Sequence, residues 1–351
     1  MRKRLNNIEA LRLLAMLMVV VLHYLDKGGL LTSPAGTFTK SSYMAWLAES
    51  FAIVAVNAYV LITGYFMCES TLKLSRLAEI ICQVLWYSVL IPVVLVLCGA
   101  VRLGDLSTYD FLQFVFPIHM KHYWFVTGYV VLMLFVPFLN GAMKQMSQKQ
   151  LLISGGLLLI YEMLPKSVLP MKFTFDEAGN NLLWLVCLYI TGAYIRKYGI
   201  PFFTSVGKSL FTYFGACAAI FGSLLVLRSI YFRADAFGDS LNFAYHYNHI
   251  LCFAASVALF YAFLLWNMPD NCFSRWIGRI APYTFGVYLL HEHILVRNLW
   301  PQWLRVAPAD SALLFVAALF GKCILVLAVG IMTDWVRSLV FHGITLLWRK
   351  H

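Results

Sequence analysis

An arginine and a histidine share one apolar helix near the start of the chain. The run from Ile8 to Tyr24 places Arg12 and His23 eleven residues apart. At about 100° per residue this is three turns plus about 20°, so both side chains face the same way, about 16 Å apart along the axis. In hydrocarbon such a stripe is costly unless it faces a cavity or a partner, and an ionisable residue within a span marks a functional site. Neutral imidazole suits proton removal near pH 7, which makes His23 a candidate general base; the alternative is a structural histidine bonded to another helix. Arg12 lies about one turn inside and either snorkels to lipid headgroups or faces the same polar path. Asn6 followed by Glu9 reads as a capping box. Glu9 is also within i,i+3 reach of Arg12.

The elements that must position these residues are membrane spans. The chain has 351 residues, 61% hydrophobic and 12% charged, against about 45–50% and about 25% for soluble domains. The expected fold is an all-α, polytopic integral membrane helix bundle with about ten transmembrane helices, forming one domain over residues 1–351. Ten apolar runs lie at about 8–25, 43–66, 77–101, 123–139, 151–164, 181–195, 210–227, 250–266, 282–296 and 311–331. The fifth, sixth and ninth fall short of the roughly 20 residues a crossing needs and are candidates for re-entrant segments. Pro137 and Pro282 mark kinks or ends. The basic N-terminus invites comparison with a signal peptide, but Glu9, Arg12 and His23 inside the run argue for a retained span. Eight scattered cysteines form no CxxC or Cys/His cluster and suggest neither zinc nor a disulfide framework.

The net charge of +11 raises the question of nucleic acid, and its placement answers it. With the N-terminus inside, fifteen lysines and arginines fall in inner segments and ten in outer ones, which obeys the positive-inside rule. The basic excess reads as a cytoplasmic membrane face, with both termini cytoplasmic, and no nucleic-acid partner is expected.

Several segments, taken in order, resemble one family. Asn7-Ile8-Glu9-Ala10-Leu11-Arg12, ten residues and then His23-Tyr24 is similar to the first helix of the acyltransferase-3 family of bacterial integral-membrane acyltransferases. The run from Asn57 to Phe66, with Thr63-Gly64-Tyr65, resembles the family's second span. Lys73-Leu74-Ser75-Arg76 resembles its basic pair before the third, Tyr123-Trp124-Phe125-Val126 with Pro137 its fourth, and Thr284 to His291 a late span ending in histidine. Lys73 stands where many members have arginine, and Glu9 where many have aspartate. The resemblance implies a protein of the bacterial plasma (inner) membrane that transfers an acyl group, often acetyl from acetyl-CoA, to a hydroxyl of a surface polysaccharide or its lipid-linked precursor. The expected partners are thus a glycan or lipid-linked glycan and membrane lipid.

The residues fit that chemistry. His23, with Arg12 and Glu9 on its helix, would take the proton from the attacking hydroxyl. Arg12, Lys73 and Arg76 would hold the phosphates of the donor, although Lys73 and Arg76 also read as ordinary inner-face charge. An oxyanion needs donors, and Asn57, Tyr65 and Trp124 are candidates among which the sequence does not choose. His291-Glu292-His293 has a spacing that hints at metal, but neighbours on a helix point different ways, so no metal is expected and His291 is taken to line the cavity or bridge helices. His119 and His122 read as exposed loop residues. Two other classes stay open: a transporter or flippase of a lipid-linked sugar, which has no need of the Arg12–His23 stripe and the inner basic pair, and a membrane module that only anchors or senses, which has little use for His23.

Overall fold

Apolar runs of this length satisfy their backbone polar groups in hydrocarbon only by coiling into helices, and the described residues contain no strand. The computed structural model describes residues 5–171, 177–306 and 311–348, without side chains beyond 344. The basic residues Arg2, Lys3, Arg4, Lys172, Arg349 and Lys350 of the charge count lie outside them. The helices are α1 (Asn6–Lys27), α2 (Lys40–Ala52), α3 (Ala55–Met67), α4 (Leu74–Leu97), α5 (Thr108–Val115), α6 (Trp124–Gln145), α7 (Gln148–Val168), α8 (Leu182–Tyr198), α9 (Val206–Ala234), α10 (Ile250–Leu265), α11 (Cys272–Ile280), α12 (Thr284–His291), α13 (Trp300–Trp303) and α14 (Ala312–Trp348).

Among the described residues, eight segments are long and apolar enough to cross a membrane, counting α2 with α3 as one. The two expected spans missing from that set are the sixth, α8, and the ninth, α12, of 17 and 8 residues. The fifth expected span is α7, a full 21 residues, so its suspected shortness does not hold. Pro137 sits inside α6 without ending it, and Pro282 lies in the 3-10 turn that leads into α12.

The second span is broken at Ile53 and Val54, with no glycine or proline to mark the place. The carbonyl of Phe51 beside the break accepts from the Tyr213 hydroxyl at 2.8 Å. A neighbouring side chain thus supplies a partner where the ladder is interrupted.

Helix α1 is central, packing on α2, α3, α10, α11, α12 and α14. Its first turn differs from the expected capping box. The N-cap is Leu5, without a side-chain bond, and Asn6 is already helical. Asn7 instead donates to the Phe263 carbonyl at 2.9 Å, tying α1 to the end of α10. Glu9 is buried and pairs with Arg12 at 2.9 Å.

Backbone approaches backbone most closely between α3 and α8. A Cβ on Gly64 would lie 2.2 Å from the Tyr189 carbonyl oxygen, and one on Gly192 would lie 2.4 Å from that of Leu61. Small residues permit this contact, a device of membrane helix pairs. On the other side, Asp334 of α14 is fully buried and meets Gln83, Tyr87 and Arg337 at 2.9, 3.0 and 2.7 Å. A Cβ on Gly286 of α12 would collide with Asp334, so this polar node also fixes how α12 leans on α14.

Candidate active site

His23 lies four residues before the end of α1 and lines a cavity of 80 Å³. Its walls come from α1, α3, the start of α6, the segment before α10, and α12, and include Tyr59, Trp124, Tyr247, Thr284 and Tyr288. Trp124 and Tyr247 are stacked, with centroids 6.1 Å apart. Tyr59 donates to the backbone carbonyl of Arg12 at 2.7 Å, so one tyrosine reaches both the histidine's cavity and the arginine's turn. The Arg12 side chain itself pairs with Glu9 and does not line this cavity.

Behind the ring, His23 Nδ1 is 2.8 Å from His291 Nε2 and 3.2 Å from Glu292 Oε2. His291 Nδ1 is 2.5 Å from the Val287 carbonyl. A carbonyl only accepts, so His291 carries its proton on Nδ1 and offers a lone pair at Nε2. His23 must then donate from Nδ1, and its own lone pair lies on Nε2. The contacts therefore select the tautomer of His23. Arg297 stands 3.8 Å from the other oxygen of Glu292, so the carboxylate bridges a histidine and a cation.

His291 and Glu292 reach one histidine because the helix stops. α12 ends at His291, and Glu292 is its C-cap with φ −97° and ψ 4°. The expectation that neighbouring His and Glu point apart holds on a continuing helix and fails here. Irregular backbone inside a membrane protein must find its partners within the protein. Tyr123 donates to the Leu289 carbonyl at 2.9 Å and Trp300 to that of His291 at 3.0 Å.

The next residues are held by a second pair of rings. His122 Nε2 accepts from the Ile294 backbone at 3.3 Å, and its Nδ1 faces the Gln113 carbonyl at 3.3 Å. His293 Nδ1 accepts from Leu295 at 3.2 Å. The rings lie 4.5 Å apart. His122 is 2% exposed, so it is not the exposed loop histidine its sequence context suggests. Burial lowers its pKa to about 4 against the opposing pull of the Gln113 carbonyl. Both rings act as clamps on the segment after α12.

The chemistry of His23, His291 and Glu292 also suits a divalent metal, their ligand atoms lying within 4.8 Å of one another. Two nitrogens on a tetrahedral ion at about 2.0–2.1 Å would stand roughly 3.4 Å apart. The 2.8 Å separation is that of a hydrogen bond. The two histidines are thus closed on each other by a hydrogen bond, with the Glu292 carboxyl beside them as the third member of a triad.

The other candidates are distributed. Trp124 lines the His23 cavity, and His291 lies against His23 behind it. Asn57 is fully buried but does not line the cavity. Its amide donates to the Tyr247 carbonyl at 2.9 Å, and its oxygen accepts from Trp184 Nε1 at 3.0 Å. It is a brace for the cavity wall. Tyr65 is in the last turn of α3, where Arg196 donates to its hydroxyl at 3.3 Å and lies over its ring; it is not at the His23 cavity. Lys73 and Arg76 are exposed at the start of α4. α4 packs chiefly on α5 and α12 and is not one of the helices that pack closely on α1.

Glu292, Tyr288, Tyr247 and Tyr59 are the residues that sequence reasoning missed. The triplet His291-Glu292-His293 contained the signal for the first. Residues 5–335 match a family model described as an acyltransferase domain. No curated protein and no solved structure matches the chain.

Proposed function

The chain belongs to the acyltransferase-3 family, and we propose that within it the protein is a membrane O-acetyltransferase. It takes acetyl from acetyl-CoA and passes it to a hydroxyl of a surface polysaccharide or its lipid-linked precursor, in a bacterial inner membrane with both termini in the cytoplasm. The observation that carries the reading is the orientation of His23. Its Nδ1–H is directed at His291 Nε2, with the Glu292 carboxyl 3.2 Å away, which leaves Nε2 free to act as a base. As the acceptor hydroxyl attacks the thioester carbonyl, Nε2 takes its proton. Glu292 stabilises the imidazolium that forms. Collapse of the tetrahedral intermediate expels the CoA thiolate, to which His23 returns the proton. The phenols of Tyr247 and Tyr288 and the indole of Trp124 are the donors available to the oxyanion in this cavity.

The cavity's size favours a short acyl group. At 80 Å³ it has room for a few small groups and none for a long chain. The donor's phosphates remain at the other end of the bundle. Arg12, about 16 Å from His23 along α1, holds them there, with the exposed Lys73 and Arg76 at the start of α4 as further cations for the donor to meet on its way in, and the thin pantetheine arm spans the distance.

The test is acetyl transfer by purified protein in lipid, from radiolabelled acetyl-CoA to a glycan acceptor. His23→Ala is expected to lower the rate about 10²–10⁴-fold with the protein still folded. Undiminished transfer by that variant refutes the base. A wild type that binds no acyl-CoA but moves a lipid-linked sugar across vesicles supports the transporter reading.

A further inference from the structure

A second cavity lies on the far side of His291. It occupies 510 Å³ between the outer part of α4, the middle of α14 and the end of α12, and His291 and Trp300 form part of its floor. Its lining is almost wholly apolar. Leu90, Val94, Leu325 and Val329 are on its walls and 39–50% exposed, so it opens sideways, where the bilayer lies. On α14 the lining runs from Leu325 to Thr333, about 12 Å of helix.

The rim carries charge. Lys322 lies one turn above Leu325 on the same face of α14, and its Nζ donates to the backbone carbonyl of Arg305. Arg305 is exposed and follows Leu304, another lining residue. The Lys322 ammonium therefore stands at one end of an apolar groove, against the backbone of a second, exposed cationic residue. The groove ends against the histidine that orients His23.

We propose that this groove binds one anionic phospholipid, with its phosphate on Lys322 and Arg305 and an acyl chain lying against His291. Charge complementarity at the rim selects the headgroup, and the groove takes the chain. The chain keeps water from the back of the His23–His291 pair, where water would compete for His291. The effect on catalysis rests on the acyltransferase reading; the lipid site does not.

The two are separated by measuring lipid retention and activity independently. The intact protein is purified, loaded with dioleoyl phosphatidylglycerol or dioleoyl phosphatidylcholine, and its bound lipid counted by native mass spectrometry. Wild type is expected to retain one phosphatidylglycerol in preference to phosphatidylcholine. Lys322→Ala with Arg305→Ala is expected to weaken that retention about tenfold, the effect of losing roughly 1.4 kcal/mol. Val329→Trp, which fills the groove from its lipid-facing wall, is expected to abolish it, and Leu325→Trp serves the same purpose should the first fail to fold. Equal retention of the two lipids by wild type, or undiminished retention by the double alanine variant, overturns the proposal. In nanodiscs, acetyl transfer by wild type is expected to fall when phosphatidylglycerol is replaced by phosphatidylcholine. Retention of the lipid with no acetyl transfer in any lipid would leave the site standing and remove the acyltransferase reading instead.

Discussion

His291 accepts a hydrogen bond from His23 while donating one to the carbonyl of Val287 four residues back in its own helix. The backbone of α12 thereby sets which nitrogen of a histidine in α1 carries a proton. It follows that His291 acts on the reaction through His23. His291→Gln, which keeps an acceptor near Nε2, is expected to retain more activity than His291→Ala, with the loss in kcat and little change in KM for acetyl-CoA. Glu292→Gln is expected to lower kcat as well, because the imidazolium loses its counter-charge. Equal loss in the Gln and Ala variants of His291 would show that only packing matters there. Chelation is a further check on the closed triad: activity should survive removal of divalent metals, and its loss, with recovery on adding zinc, would reassign these three residues as ligands.

The contact of α3 with α8 predicts a second result. A Cβ on Gly192 meets the Leu61 carbonyl at 2.4 Å and cannot be accommodated by turning a side chain. Gly192→Ala should therefore force the helices apart and reduce folded yield sharply in fluorescence-detected size exclusion. A Cβ on Gly156 of α7 would meet nothing within 4 Å, so Gly156→Ala should be tolerated and serves as the control.

Much of this architecture can be read before any coordinates. Helix length and apolarity suffice for α1, α4, α6 and α14, and the spacing singles out His23, which lines the cavity. What escapes such reading depends on interruption. Nothing in Ile53-Val54 signals a break, and the partners that take up the freed carbonyl come from α9, far along the chain. The end of α12 at His291 is likewise set by tertiary bonds from Tyr123 and Trp300, so helical periodicity assigned Glu292 to the wrong direction. Asn57 illustrates a different limit. A buried amide in a span looks like a substrate group until its partners, Tyr247 and Trp184, are known.

The clamp formed by His122 has a pH signature. Burial holds this group at about 4, below its ordinary 6.5, so the folded state resists protonation that the unfolded state accepts. Its contribution to stability is complete above pH 6.5 and is lost as pH falls from 6.5 towards 4. For a group 2% exposed, the difference corresponds to about 3 kcal/mol. His122→Gln removes the titration while keeping a donor and an acceptor. The gap in melting temperature between wild type and variant should therefore narrow as pH is lowered across this window. A gap independent of pH would mean that His122 takes up its proton in the folded protein just as it does in the unfolded chain.

Orientation carries the greatest weight for mechanism, because it decides which compartment supplies which substrate. Ser33 lies in the loop between α1 and α2, at the end of the bundle near His23. Lys149 lies at the start of α7, just after the turn from α6. Both are exposed. α6 returns from the His23 end, where Trp124 lines the cavity, so these two positions belong to opposite faces of the membrane. The native cysteines must be removed first, since Cys82, Cys98 and Cys272 are exposed. In that background a cysteine at position 33 should react with an impermeant maleimide added to intact cells. One at position 149 should react only after the membrane is opened. This pattern puts the acceptor's approach to His23 outside and the Arg12 end in the cytosol, where acetyl-CoA is made. The reverse pattern would place His23 near the cytosolic face. The acyl group would then have no membrane to cross, and the long reach from Arg12 to His23 would lose its purpose.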